Sequence, residues 1–162
     1  MRKGEILALN WNQLDFRRMC IKVERAYKNE TKVGKPKWNK IRVTPIPGPV
    51  ITPLMFMRGM QLEVYADDLV YSYADKSRLG GTWWHKNFRK GLDNVGIDYR
   101  KRYITPHSFR HTLNSLLREQ GYDAAKIRDS LGWSSVDVQD GYTHWSDEAF
   151  VEHSEIVGRV FG

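Results

Sequence analysis

The sequence predicts an α+β fold that is mainly α-helical, with a small antiparallel β-sheet of two or three strands near the N-terminal end. β-branched and alternating residues are concentrated in residues 20–46, a pattern typical of strands. Farther along the chain, apolar residues recur at helical spacing between capping signals, which indicates helices. The chain has 162 residues, of which 41% are hydrophobic, and this is enough for one domain with its own core.

The N-terminal elements follow from a change in apolar spacing. Residues 5–14 have helical apolar spacing and are predicted as the first helix. Residues 21–26 and 41–45 alternate and are predicted as strands, separated by a turn at residues 32–36. Cys20 is the only cysteine, which excludes an internal disulfide and a multi-thiolate zinc site, and we interpret it as a small core residue.

The next segment, residues 52–64, carries a stripe of large apolar side chains and is predicted as a helix that packs on the core. The stripe consists of Leu54, Met55, Met57, Met60 and Leu62. Residues 68–73 are predicted as a short extended segment.

The second half of the chain is predicted to be helical. Gly96 closes a helix over residues 83–95. Thr105 and Pro106 supply a cap and a first-turn proline for a helix that runs to about Gln120. Further helices are predicted over residues 124–131, from Ser134 or Ser135 to Tyr142, and over residues 148–160.

The net charge of the chain favours a polyanionic partner. It is +7, from 26 Lys and Arg against 19 Asp and Glu, and phosphates attract such a surface. Charge alone does not choose between DNA, RNA and an acidic membrane. No stretch of about 18 apolar residues predicts a spanning helix, and Glu5 and Asn10 interrupt the start before a signal peptide could form, so we expect no membrane association and a cytoplasmic protein.

The helix that begins at Thr105 presents a polar face suited to phosphate. His107 and Arg110 are three residues apart and share one side of the helix. Free N–H groups and the helix dipole add to the guanidinium charge there. This spacing alone equally fits a capped amphipathic helix with surface charges. Together with Trp133 and Tyr142, however, it is a set suited to attack by a phenol on a phosphodiester.

The order and spacing of these residues resemble the tyrosine recombinases, also called phage integrases. The matching motifs are the Arg-Lys-Gly-Glu box at residues 2–5, a lysine in the hairpin, His-x-x-Arg-His at residues 107–111, Leu-Gly-Trp at residues 131–133, and Tyr142, nine residues after the tryptophan. The resemblance covers essentially the whole chain, and its three distal motifs are the specific ones.

The resemblance implies a catalytic site made of Arg2, Lys37, His107, Arg110, Trp133 and Tyr142. Tyr142 would attack a DNA phosphodiester, leaving a 3′-phosphotyrosyl link and a free 5′-hydroxyl. Arg2 and Arg110 would stabilise the charge on the phosphate, and Lys37 would protonate the departing oxygen, although Lys32, Lys35 and Lys40 compete for that role. No metal ion, ATP or other cofactor is implied.

Two residues of the site have supporting or positioning roles by the same resemblance. His107 would act as an acid, a base or a hydrogen-bond donor, whereas Trp133 can donate but cannot shuttle protons at neutral pH. His111 is interpreted as structural, since no third metal ligand is in sight. Glu5 is expected to support the Arg2 region.

The implied partner is double-stranded DNA, bound by a tetramer in the full-length form. Contacts with the DNA backbone are predicted for a set of basic residues, Lys35, Lys40, Lys86, Arg89, Lys90, Arg100, Lys101 and Arg102. Compared with the family pattern, residues 1–162 are expected to form the catalytic domain without its first residues and without the N-terminal DNA-clasping domain.

Two other functions remain open at this point. One is a catalytically silent DNA-binding or assembly module with the same fold. The other is relaxation of supercoils by a type IB topoisomerase-like enzyme, which uses the same cleavage step. The intact set of basic groups and the tyrosine favour a site-specific recombinase or integrase.

Overall fold

A computed structural model of the chain describes residues 1–132, 151 and 154–159. The N-terminal part begins with helix α1 (Lys3–Leu7) and a 3-10 turn (Trp11–Gln13). Five short strands follow, namely β1 (Leu14–Asp15), β2 (Cys20–Val23), β3 (Ala26–Tyr27), β4 (Val33–Gly34) and β5 (Arg42–Pro45). A second 3-10 turn, Lys37–Asn39, precedes β5.

The strands form two small antiparallel sheets. One has the order β1-β2-β5, and the other pairs β3 with β4. In the larger sheet, Ile21 lies opposite Thr44 and Val23 lies opposite Arg42. The predicted fold class, mainly helical with a small antiparallel sheet near the N-terminal end, is confirmed.

Within residues 1–132, four longer helices follow the sheet, α2 (Gly48–Met60), α3 (Gly81–Asn94), α4 (Pro106–Glu119) and α5 (Ala124–Leu131). The caps predicted for the last two are present. The Thr105 backbone N–H donates to Ser108 Oγ at 3.1 Å, and Asp123 Oδ1 accepts from the N–H groups of Ala125 and Lys126 at 3.0 and 2.9 Å. Gly132 ends α5 in the left-handed conformation, with φ +64°.

In the part of the chain that the structure describes, apolar side chains pack in two clusters. The first lies around the sheet and α2 and includes Ile21, Val23, Ile46 and Leu54. The second joins α4 and α5 to a helical segment at residues 154–159 through Leu117, Ile127, Leu131 and Val157. Cys20 is buried, as predicted.

The first predicted helix is shorter than its apolar spacing suggested. Instead of running over residues 5–14, α1 ends at Leu7, and Asn10 has extended backbone angles. The reason is tertiary pairing, because the Trp11 N–H donates to the Asp68 carbonyl and the Val70 N–H donates to the Leu9 carbonyl. These bonds replace the helical bonds that residues 9–11 would otherwise make.

The prediction that the whole stripe on residues 52–64 is core was wrong. Leu54 is buried and Met57 packs against the core. Met55 and Met60 are largely exposed, and Leu62, 89% exposed, follows the end of α2. A helix that contacts the core on one side only cannot bury both faces of such a stripe.

The helix predicted over residues 83–95 is confirmed by α3. The predicted turn at residues 32–36 was wrong, because Val33 and Gly34 pair with Tyr27 and Ala26 as strand β4, and the strand predicted over residues 21–26 is divided between β2 and β3. Residues 68–73 contain single bridges, from Leu69 to Asn10 and from Ser72 to Arg78. The helix predicted from Ser134 or Ser135 to Tyr142 lies outside the described residues, and the last helix is confirmed over residues 154–159. Within the described part of the chain, no helix is long and apolar enough to cross a bilayer.

Candidate active site

The predicted residue Arg2 lies at the start of α1, where its guanidinium reaches the end of α5. Arg2 Nη2 donates to the Gly132 carbonyl at 2.9 Å, and Arg2 Nη1 donates to Glu5 Oε1 at 3.2 Å. The Arg2 backbone N–H donates to Glu5 Oε2 at 2.7 Å. The side chain keeps 25% of its surface exposed. Arg2 is therefore oriented by the protein and still accessible to a ligand.

Glu5 is a buried carboxylate at the centre of this region. Its side chain is 1% exposed. Burial alone raises the pKa of Glu5, but the hydrogen bonds and charge of Arg42, together with the bond from the Arg2 backbone, outweigh burial and hold the pKa at about 2. Glu5 is thus ionised at neutral pH, and its expected role in supporting the Arg2 region agrees with the structure.

Arg42 is a residue of this site that the sequence reasoning missed. It lies on β5, is 5% exposed, and forms a forked pair with Glu5 through Nη1 at 3.1 Å and Nη2 at 2.7 Å. Its Nε donates to the Ser130 carbonyl at 3.2 Å. Only the sheet register places Arg42 opposite the buried Val23, a position where a charged residue requires a buried partner, so no signal in the sequence alone indicated it.

Two glycines of the predicted motifs allow close approaches. A Cβ on Gly4 would lie 2.5 Å from the carbonyl oxygen of Tyr27, so α1 packs against β3 at backbone distance. A Cβ on Gly132 would lie 2.7 Å from Arg42 Cζ. The glycine of the Arg-Lys-Gly-Glu motif is therefore explained by the close approach of β3, and the glycine of the Leu-Gly-Trp motif by the packing of Arg42.

Arg110, on the first turns of α4, is buried beside the same groups. Burial, followed by the positive charges of Arg2 and Arg42, lowers the pKa of Arg110 to about 10, with Glu5 acting in the opposite direction. The guanidinium stays charged at neutral pH. The structure thus brings together Arg2 and Arg110, the two arginines predicted from motifs 108 positions apart.

His107 is exposed on the helix that carries Arg110. Its ring packs edge-on against His111, with 4.8 Å between the ring centroids. Desolvation, His111, Arg110 and Arg2 together lower the pKa of His107 below its usual 6.5. The imidazole is therefore mainly neutral at pH 7, a form in which one ring nitrogen donates and the other accepts.

Lys37, the predicted general acid, is exposed on the turn before β5. Its Nζ lies 5.2 Å from the centre of the Trp38 ring, and Trp38 itself is exposed with a φ of +65°. Lys40, its competitor, pairs with Asp129 at 3.0 Å, which ties this turn to α5. Lys37 is five residues before Arg42 on the same segment. Its role as the general acid stays a prediction.

The other two predicted catalytic residues, Trp133 and Tyr142, lie outside the described residues. The structure describes the chain up to Gly132, the residue directly before Trp133. Gly132 is held by Arg2 through its carbonyl and by Arg42 through close packing. The segment that contains both residues therefore starts at the arginine cluster.

A basic surface extends along α3. The predicted DNA contacts Lys86, Arg89 and Lys90 line an open depression of about 700 Å³ with His85 and Tyr99. Arg100 also reaches this surface, because the guanidiniums of Arg89 and Arg100 lie 5.8 and 4.8 Å from the centre of the Tyr99 ring. Three further predicted contacts, Lys35, Lys101 and Arg102, are exposed.

Comparison with known proteins agrees with the geometry. The sequence profile of the phage integrase family matches residues 1–149. The chain belongs to the phage integrase family. The tyrosine recombinases of this family break and rejoin DNA, and the resemblance inferred from the motifs is confirmed.

Individual relatives are recombinases. The chain is 31% identical to a "Tyrosine recombinase XerC-like" protein of Caldanaerobacter subterraneus subsp. tengcongensis, over 89% of this chain and 42% of that protein. It is 30% identical to a "Tyrosine recombinase XerD" of Halalkalibacterium halodurans, over 67% of this chain and 36% of the relative. The chain therefore spans less than half the length of these curated relatives.

Solved structures share the fold of this chain. The integrase of transposon Tn1549, solved in complex with circular intermediate DNA, has a TM-score of 0.67 at 18% identity, over 83% of this chain and 48% of that one. The XerA recombinase has a TM-score of 0.65 at 25% identity, over 93% of this chain and 51% of that one. The fold is that of phage integrase catalytic domains.

Proposed function

We propose that this chain is the catalytic part of a site-specific DNA recombinase in which Tyr142 is the nucleophile. The observation that carries the proposal is the cluster of Arg2, Arg42 and Arg110 around Glu5, next to the carbonyl of Gly132. One carboxylate and three guanidiniums give this cluster a net charge of +2. A surplus of positive charge of this kind is suited to a phosphodiester.

In the proposed step, the Tyr142 oxygen forms a bond to phosphorus while the bond from phosphorus to the 5′ oxygen breaks. The products are a 3′-phosphotyrosyl link and a 5′-hydroxyl end. Negative charge on the nonbridging oxygens grows during the attack, and Arg2 and Arg110 would stabilise it without losing a proton. Attack of the 5′-hydroxyl of another strand on this link would reverse the step and exchange the strands.

The proton transfers are assigned to two other groups. The 5′ oxygen would take a proton from Lys37, on the exposed turn that precedes β5. His107 is mainly neutral at pH 7 because its pKa is lowered, so it would accept the Tyr142 proton or donate to the phosphate. Trp133 would contribute an indole N–H as a donor only.

The proposed partner is duplex DNA, held along its backbone by the basic surface of α3 and the turn that carries Lys37. The exposed cations there are suited to phosphate contacts, which position the duplex without reading its sequence. We extend the proposal to a tetramer on DNA for the full-length form. Its support is the resemblance to the phage integrase family.

The proposal is tested with a nicked duplex that carries the target phosphodiester, in which the fragment released by cleavage diffuses away. The unaltered chain should form a covalent protein–DNA adduct that denaturing electrophoresis resolves. Tyr142→Phe should form none. Tyr103→Phe is the matched control, because it removes an exposed phenol outside the proposed chemistry and should leave the adduct in place.

An adduct that persists in Tyr142→Phe would remove Tyr142 from the proposed role. Binding to DNA without any adduct in the unaltered chain would favour a silent module of the same fold. Relaxation of a supercoiled circle without exchange between two duplexes would instead favour a topoisomerase-like enzyme.

A further inference from the structure

We propose that Arg42 is a positioning residue that acts as the counter-ion of Glu5 and so leaves the charge of Arg2 available to the DNA phosphate. This inference rests on the proposed function. Arg42 is 5% exposed whereas the Arg2 side chain is 25% exposed. The three guanidinium nitrogens of Arg42 donate to Glu5 and to the Ser130 carbonyl, so its effect on the reaction passes through Glu5 and Arg2.

Arg42 and Arg2 contact Glu5 in different ways. Arg42 Nη1 and Nη2 donate to the two carboxylate oxygens of Glu5 at 3.1 and 2.7 Å. This forked contact is the one that neutralises a carboxylate best. Arg2 makes one side-chain contact to Glu5, at 3.2 Å, and places its other nitrogen on the Gly132 carbonyl. Arg42 therefore compensates the carboxylate, while Glu5 and Gly132 set the direction of Arg2.

Removal of Arg42 would change which group the Arg2 guanidinium contacts. A buried carboxylate without a partner is strongly disfavoured, so Arg2, which already donates to Glu5 through Nη1, would turn further onto Glu5. The net charge of the cluster would fall from +2 to +1. The defect would then be electrostatic, and it would appear mainly when the phosphate itself carries a charge.

Two nicked substrates separate this effect from a general loss of structure. One carries the normal phosphodiester, and the other carries a methylphosphonate, in which a methyl group replaces a charged nonbridging oxygen. Arg42→Met should lower the rate of adduct formation on the phosphodiester on the order of 100-fold and on the methylphosphonate by less than about fivefold. Arg58→Met is the matched control, because Arg58 is on α2 and its guanidinium lies over the Trp11 ring. This substitution should change neither rate.

A second variant tests the charge directly. The double variant Arg42→Met with Glu5→Gln returns the cluster to a net charge of +2 and keeps an oxygen acceptor for Arg2. It should form the phosphodiester adduct about tenfold faster than Arg42→Met alone, since part of the lost electrostatic stabilisation returns. A purely structural role for Arg42 predicts no such recovery.

Urea unfolding of the same variants measures the contribution of the ion pair to the free energy of unfolding and requires no activity assay. Arg42→Met should be less stable than the unaltered chain at pH 7, and adding Glu5→Gln should restore part of that stability. Equal losses on both substrates, or no recovery in the double variant, would overturn the inference. If the unaltered chain forms no adduct on either substrate, the proposed function fails. The counter-ion role is then refuted separately if the double variant recovers no stability in the unfolding series.

Discussion

Replacement of Gly132 by alanine separates two reasons for a glycine at the end of a helix. Gly132 and Gly121 both have left-handed backbone angles, with φ +64° and +79°. A Cβ on Gly121 would meet nothing within 4 Å, whereas a Cβ on Gly132 would lie 2.7 to 2.8 Å from three atoms of the Arg42 guanidinium. Gly121→Ala therefore measures backbone strain alone, and Gly132→Ala adds the displacement of Arg42.

The two substitutions should differ clearly in magnitude. A left-handed alanine costs about 1 kcal/mol, and this is the expected loss for Gly121→Ala. The guanidinium is the far end of a flexible side chain, but it is held by Glu5 and the Ser130 carbonyl. Complete loss of one partner of a buried ion pair costs about 3–5 kcal/mol. A partial displacement should add about 1–3 kcal/mol, for a total of about 2–4 kcal/mol.

Urea unfolding followed by circular dichroism measures both losses on the same scale. The slope with urea should stay unchanged, so that the shift in midpoint reports the free energy of unfolding. In thermal unfolding, each kcal/mol corresponds to about 2–4 °C for a chain of this size. Equal losses for Gly132→Ala and Gly121→Ala would refute the claim that the glycine makes room for Arg42.

Three further outcomes are expected. Gly4→Ala should lower the free energy of unfolding by about 1–3 kcal/mol in urea titrations, because a backbone carbonyl occupies the space of its Cβ. Lys37→Ala should slow adduct formation on the order of 100-fold or more, and a substrate with sulfur in place of the departing 5′ oxygen should restore the rate, since a thiolate leaves without a proton. Joint replacement of Lys86 and Arg89 by alanine should reduce the slope of log affinity for duplex DNA against log salt by about 0.9 per lost phosphate contact in fluorescence anisotropy titrations.

Each of these outcomes has a matched control. Gly59→Ala, on α2 with nothing near its Cβ, should increase stability by about 0.5–1 kcal/mol. Lys35→Ala removes a predicted backbone contact, so it should slow adduct formation less than Lys37→Ala does, and the sulfur substrate should not restore its rate; a sulfur rescue confined to this variant would transfer the acid role to Lys35. Lys22→Ala, on β2 beside Glu24, should leave the salt slope as it is, and an equal decrease there would mean that net charge rather than α3 governs binding.

The elements that depend on local signals were predictable from the sequence. The structure has α5 at Ala124–Leu131, as predicted, because Asp123 caps its start and Gly132 adopts the left-handed conformation at its end. Helix α4 starts at Pro106 for the same kind of reason. Caps and glycines act within one helical turn, so their effects can be read without knowledge of the fold.

The parts that depend on distant contacts were not predictable in the same way. The first helix ended early because residues 9–11 pair with residues 68–70, and no local pattern indicates this partner. Arg42 was missed because its partner Glu5 lies 37 residues earlier. Glu5 and Arg42 are charged residues among apolar ones, in a helix and in a strand, and only the fold shows that they form a pair.

The contact between Arg2 and Gly132 spans 130 positions of the sequence, and this separation bears on when the site forms during synthesis. A ribosome releases Arg2 and the strand that carries Arg42 long before the carbonyls of Ser130 and Gly132. Until α5 has emerged and docked, those carbonyls cannot fix the two guanidiniums, and the cluster is incomplete. A nascent chain that stalls before residue 130 therefore carries Arg2 and Arg42 without the two carbonyls that orient them.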